Sequence, residues 1–163
     1  MPPVSTDEQR IGRAPPGVSA AAEWAGYLCL APLLLGLAGV ALLPEPAQRD
    51  FAQRATIAWG AALLAFGGAV HWGLALAGWL PWQPLRILGA LAPAVLAAAG
   101  VLLGGQRGLA LLVVGSGLFW LYEHRSLGAQ LPPPYLALRR QLTVATCFLL
   151  AVTMFVSDTV GLR

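Results

Sequence analysis

Apolar residues gather along the chain into five long runs separated by short polar breaks: 24–43, 55–80, 85–103, 108–122 and 141–160. A helix rising 1.5 Å per residue needs about 20 such residues to cross roughly 30 Å of hydrocarbon, and the runs match or approach that length. The breaks hold the residues that end helices. Pro44-Glu45-Pro46 stops the first run, since proline donates nothing to the hydrogen-bond ladder. The second run, about 39 Å if straight, must tilt or extend into the headgroups, and it ends at Pro81 and Pro84. Pro93 lies midway along the third and predicts a kink there. Gly104-Gly105-Gln106-Arg107-Gly108 reads as a tight turn, because the strand and the Lys-Ser/Thr ending of a phosphate loop are both missing. The fourth run is the shortest, with Arg107 and Glu123 placed to snorkel to the two interfaces. The longest loop, 123–140, carries Glu123-His124-Arg125, prolines 132–134, Tyr135 and Arg139-Arg140.

Residues 1–22 are polar and rich in Pro, Ser and Gly, with too little apolar surface to offset chain entropy, so they read as a disordered tail. The expectation is an all-α polytopic membrane protein: one domain, 23–163, built as a five-helix transmembrane bundle. Composition agrees. Of 163 residues 58% are hydrophobic and only 10% charged, whereas a water-facing shell needs about a quarter charged. The first run is too long for a secretory signal core and lacks a small-residue cleavage site after it.

All ten basic residues are arginine, spread over every loop, which is no nucleic-acid footprint of clustered basic and aromatic residues. Five crossings put the termini on opposite faces. The N-terminal face collects Arg10, Arg13, Arg86, Arg125, Arg139 and Arg140, and the other face Arg49, Arg54, Arg107 and Arg163, which favours a cytoplasmic N-terminus in a bacterial inner membrane. Trp24, Trp79, Trp82, Trp120, Tyr122 and Tyr135 form an aromatic belt on the N-terminal face, with Trp59 on the other. Cys29 and Cys147 read as small buried hydrophobes near one face.

His71, in Gly67-Gly68-Ala69-Val70-His71-Trp72-Gly73, is the ionisable side chain set deepest in an apolar run, about 5 Å past the midpoint of its helix. A polar group there should face the bundle interior and find a partner. The same arithmetic brings Ser116 and Trp120 to a similar depth, so His71, Trp72, Ser116 and Trp120 are expected to form a polar-aromatic cluster. Arg86, Glu123, His124, Arg125 and Tyr135 are candidates for a charged cluster at the N-terminal-face interface, against the plainer reading of a solvated loop with surface pairs. Gly67, Gly68, Gly73, and the small-xxx-small pair Gly100 and Gly104, are expected to let helices approach closely. No metal site is expected, because no second ligand recurs at a helical spacing from His71. No catalytic residues or cofactor are expected either, for no nucleophile and base fall in one plausible site.

The stretch GGAVHWG in a second helix, the acidic-basic step ending the fourth and PPPYLALRRQLTV leading into the fifth resemble the uncharacterised bacterial membrane family called domain of unknown function 3429, which has a mitochondrial relative named transmembrane protein 69. The likeness covers roughly 24–156. It implies the architecture and brings no reaction; it marks His71, Trp72 and Tyr135 as more than filler, and departs from the family pattern at Glu123, where aspartate is expected. The functional expectation is a non-enzymatic accessory or assembly subunit, partnered by the bilayer and by other membrane protein subunits. The alternative is a small transporter or a cofactor- or lipid-binding protein with a site near the midplane at His71.

Overall fold

The computed structural model describes residues 19–78, 83–128 and 131–161, and among them all regular structure is helical. Most of the tail, together with Trp79, Trp82 and Arg163, lies outside the described residues. The elements are α1 (Ala20–Leu28), α2 (Ala31–Leu42), α3 (Pro46–Leu76), α4 (Pro84–Leu103), α5 (Gly105–Leu127) and α6 (Pro133–Thr159). Together α1 and α2 make one span, so five long helical stretches cross back and forth.

The first span is broken where an unbroken helix was expected. Pro32, in the first turn of α2, brings no N–H for the carbonyl of Leu28, and there α1 ends. Leu33 N then bonds Leu30 O at 3.1 Å, which leaves the carbonyl of Cys29 to accept the indole N–H of Trp59 at 2.8 Å. Trp59 is therefore tied to the middle of the first span and does not anchor at an interface. Cys29 is exposed and Cys147 only half-buried, so neither is the core residue expected.

Four boundaries move outward from their expected places. Ser19 accepts Ala22 N at its side chain and starts α1, so residues 20–22 are helical and not tail. Pro46 starts α3 nine residues before the expected 55, for proline suits a first turn and nothing from 47 to 76 breaks the helix. Pro133 and Pro134 likewise open α6 well before 141, and α5 runs on past Tyr122 to Leu127. Arg139 and Glu123, read from the sequence as loop and interface residues, thus lie inside helices.

Four stretches have the length and apolarity to cross a membrane: Ala20–Leu42, Pro46–Leu76, Arg86–Leu103 and Pro133–Thr159. The remaining helix, α5, is long enough but carries Gln106 and Arg107 at one end and Glu123 near the other. Large apolar side chains such as Leu35, Phe66, Leu102 and Phe148 face outward, which water would penalise and lipid does not. The protein is a multi-pass membrane bundle.

Helix α3 is the central staff, packed against α2, α4, α5 and α6. The core around it is built from Leu33, Ile57, Leu64, Leu112, Phe119 and Leu150, among others. Glycines set the closest approaches. A Cβ on Gly108 would strike the carbonyl oxygen of Gly100, and one on Gly100 would come within 2.9 Å of Leu112, so α4 and α5 meet there nearly backbone to backbone. Gly68 lies as close to the carbonyl of Ala90 and the ring of Pro93, through which α4 continues as helix. Two of the expected packing glycines do something else. Gly73 has nothing within 4 Å of its Cβ position, and Gly104, at φ 59°, makes the left-handed turn between α4 and α5, where a side chain would be strained.

Candidate functional site

Three helices bring four polar side chains together near the N-terminal-face end of the bundle, His71 and Glu123 buried, Tyr135 and Arg139 half-buried. His71 comes from α3, Glu123 from α5, and Tyr135 and Arg139 from α6. On α5, Leu109, Leu112, Ser116, Phe119 and Glu123 follow one another at three- and four-residue steps, and all are buried. That stripe faces the core, so Glu123, four residues after Phe119, is carried inward with it. On α3 the same step links Gly60, Leu64, Gly67 and His71. On α6, Tyr135 and Arg139 are one turn apart and share a face.

Glu123, 1% exposed, is the hub. Its Oε2 accepts Arg139 Nε at 3.0 Å and its Oε1 accepts the Tyr135 hydroxyl at 3.2 Å. His71 Nε2 lies 3.3 Å from the same Oε1, which is ion-pair distance, yet it makes no directed hydrogen bond to any described group. Distance and direction disagree here, and direction decides what the bond is worth. The contact is electrostatic, with the nitrogen poorly directed at the carboxylate beside it.

Phe119 supports the centre from below. The Arg139 guanidinium carbon sits 5.6 Å from its ring centre, and the His71 ring is 5.3 Å away, tilted by 57°. Gly67 makes room, since a Cβ there would overlap an Arg139 terminal nitrogen and come within 2.9 Å of Phe119. A guanidinium cannot shed its charge inside a protein. Among the described residues Glu123 is the acid paired with it, and breaking a pair with one partner so deeply buried typically costs about 3–5 kcal/mol.

Arg139 also lines a half-open crevice of about 140 Å³ between α1, α3, α5 and α6, beside Gly26, Cys29, Phe66, Ser116 and Thr143. One edge of the charged centre thus reaches a space open to the bundle's flank.

The sequence-derived clusters are regrouped. His71 and Ser116 are both buried, the first in the centre and the second in the crevice wall. Trp72 is over a third exposed, one position round the helix from His71. Trp120 stacks on His124 at 5.5 Å and faces away from the centre. The candidate interface cluster divides: Glu123 and Tyr135 turn inward, while His124 and Arg125 are exposed. Arg86 Nη1 is buried without a hydrogen-bond partner among the described residues. With α3 beginning at Pro46, His71 lies about 15 Å past that helix's midpoint. Arg139 and Phe119 were missed. The spacing of 135 and 139, and the continuation of the α5 stripe to 123, were the signals that could have found them.

Among the described residues no three His, Cys, Asp or Glu side chains gather as a metal site. Nor does Tyr135 face a base that would make it a nucleophile; it donates to a carboxylate already held by Arg139. What the arrangement offers is a fixed charge, a carboxylate approached by guanidinium, phenol and imidazole, and a half-open crevice at the arginine. A family model described as protein of unknown function (DUF3429) matches residues 18–155. No curated protein and no solved structure matches the chain.

Proposed function

The chain belongs to the DUF3429 family of proteins of unknown function, and on that premise we propose that it is a non-enzymatic binding protein of the bacterial inner membrane, holding a small lipid-soluble ligand at the centre formed by His71, Glu123, Tyr135 and Arg139. One observation carries this reading: a His-Glu-Arg-Tyr set drawn from three helices, with His71 and Glu123 buried and Tyr135 and Arg139 half-buried, adjoins a half-open crevice that Arg139 lines. A bundle has little use for such a set as a stabiliser, because desolvating charges costs about as much as their pairing returns. Ionisable groups within membrane spans are retained mainly for function. The N-terminus is assigned to the cytoplasm, although with Arg139 committed to the interior the arginine balance of the two faces narrows to five against four.

A second reading, an accessory or assembly subunit of a larger membrane complex, has its own support. In the apolar window of the first span only 11% of residues are buried, and α1 is held to α6 by little more than Gly26 against Leu142 and the Tyr27 hydroxyl donating to Gln141 at 2.9 Å. Extraction in a mild non-ionic detergent, then size analysis and mass spectrometry of wild type and Glu123→Gln, separates the two. The ligand reading requires a small wild-type particle carrying a small molecule that the variant has lost. A large wild-type assembly with no small molecule overturns it in favour of the accessory subunit.

A further inference from the structure

Resting on the ligand reading above, the geometry points to the class of ligand: a single-chain amphiphile with one anionic head, a carboxylate or a phosphate monoester, which enters sideways from the bilayer and docks on Arg139. Charge comes first. Glu123 is met by Arg139 through Nε at 3.0 Å, and the same arginine lines the crevice. A guanidinium has five N–H donors and accepts nothing. An anion in the crevice can take the donors that Glu123 leaves over, whereas a cation would meet a fixed positive charge.

Depth is the second argument. Helix α6 has 27 residues, about 40 Å, which is close to the full thickness of a bilayer with its headgroups. Arg139 is six residues past Pro133, or about 9 Å in, just beneath a headgroup layer of roughly 5–8 Å. A lipid's own head meets its first carbons at that level, so an amphiphile reaches Arg139 without leaving its usual position in the leaflet.

Size is the third. A crevice of about 140 Å³ compares with a 150 Å³ cavity known to hold benzene, and falls well below the roughly 300–1,000 Å³ of a site for a drug-sized ligand. It has room for a head and a few carbons, with the remaining tail lying along Phe66 in the lipid. Thr143, Ser116 and Cys29 in the wall supply further polar atoms on the way to the guanidinium.

The test is native mass spectrometry of the purified full chain in non-ionic detergent, with oleate, oleyl alcohol and dioleoylphosphatidylglycerol as probes. Wild type is expected to keep one oleate, to bind oleyl alcohol about tenfold more weakly or worse, as loss of a charge-assisted hydrogen bond implies, and to prefer oleate over the two-chain lipid. Arg139→Gln and the crevice-filling Thr143→Phe should each weaken oleate by a similar factor. Thr143→Phe leaves every charge in place, and the comparison of oleate with its alcohol needs only wild type, so a failure of Arg139→Gln to fold decides nothing by itself. Equal retention of oleate and oleyl alcohol overturns the anion; equal retention of phosphatidylglycerol overturns the single chain. A wild type that ignores oleate but keeps another small molecule, lost in Glu123→Gln, sinks the ligand class and leaves the binding reading standing. A wild type that keeps nothing sinks both.

Discussion

Towards the end of the bundle away from the N-terminus, buried polar groups are neutral and mostly answered close at hand. Thr56 and Thr153 each donate to a carbonyl one turn earlier on their own helix, both at 2.8 Å, and Gln106 reaches the carbonyl of Met154 at 2.8 Å. Gln53 Nε2 and Ser157 Oγ are left over, but neither brings a charge. At the other end the buried polar groups are ionisable, lie far apart in sequence and answer one another across three helices. Hydroxyls that bond their own helix ask nothing of the fold around them. The charged centre does: it exists only if α3, α5 and α6 are all in place, so it reports on the assembled bundle and costs the most to disturb.

Breaking the pair should show the contrast most sharply. Glu123→Ala is expected to lower stability by about 3–5 kcal/mol, because it strands the Arg139 charge; thermal unfolding in detergent measures it. The double variant Glu123→Gln/Arg139→Gln should recover about 1–3 kcal/mol relative to the sum of its two singles. Strict additivity would mean that the two side chains do not act as a pair.

Next in size come the glycines. Gly108→Ala drives a methyl into the Gly100 carbonyl, a backbone atom with nowhere to go, for about 1–3 kcal/mol. Gly67→Ala meets an outer guanidinium nitrogen of Arg139, which can move aside while Nε stays on Glu123, so it should cost less in stability while any ligand those outer nitrogens hold in wild type is lost. A Gly67→Ala protein that keeps its ligand would separate the guanidinium from the site. Smaller again is Thr153→Val, expected to stay within about 1 kcal/mol in a chemical melt, because no buried partner is stranded when the hydroxyl goes. Smallest, and opposite in sign, is Gly73→Ala. With open space around the Cβ position, it should gain about 0.5 kcal/mol by restricting the unfolded chain.

The architecture was legible because lipid imposes a simple rule: apolar runs of spanning length, separated by proline and glycine, become helices. The site was half legible for the same reason. His71 stood out because an ionisable group within an apolar run is costly. Glu123 and Arg139 were read as interface and loop because charge was taken as the sign of a helix end. Continuing the α5 stripe of Leu112, Ser116 and Phe119 by one more step would have turned Glu123 inward. Arg139 needed one thing more, that prolines 133 and 134 begin a helix and do not prolong a loop. Which arginine meets Glu123 is settled by packing, for Arg86, Arg125, Arg139 and Arg140 lie on the same face, and only the glycine gap at Gly67 singles out one of them. The break at Pro32 was legible and overlooked, since a single proline in a long apolar run looks harmless until the carbonyl it strands is counted.

The buried carboxylate also bears on how the chain enters the membrane in the first place. Helix α5 leaves the ribosome before α6, carrying Glu123 while its counter-ion is still sixteen residues away; at roughly 5–20 residues per second that is a wait of about 1–3 s. An acidic residue at the centre of a lone span opposes insertion by roughly 2.5–3.5 kcal/mol; Glu123, four residues from the end of α5, carries part of that cost, and α5 has little apolar surplus to set against it. We therefore predict that α5 does not settle across the bilayer by itself and that α5 and α6 insert as a hairpin, with Arg139 delivering the cancelling charge. In a chain lacking Cys29 and Cys147 and truncated after Leu131, a cysteine placed at position 116 should be open to water-soluble thiol reagents, and extension through Thr159 should close it; protection in the truncated chain would mean that α5 inserts alone.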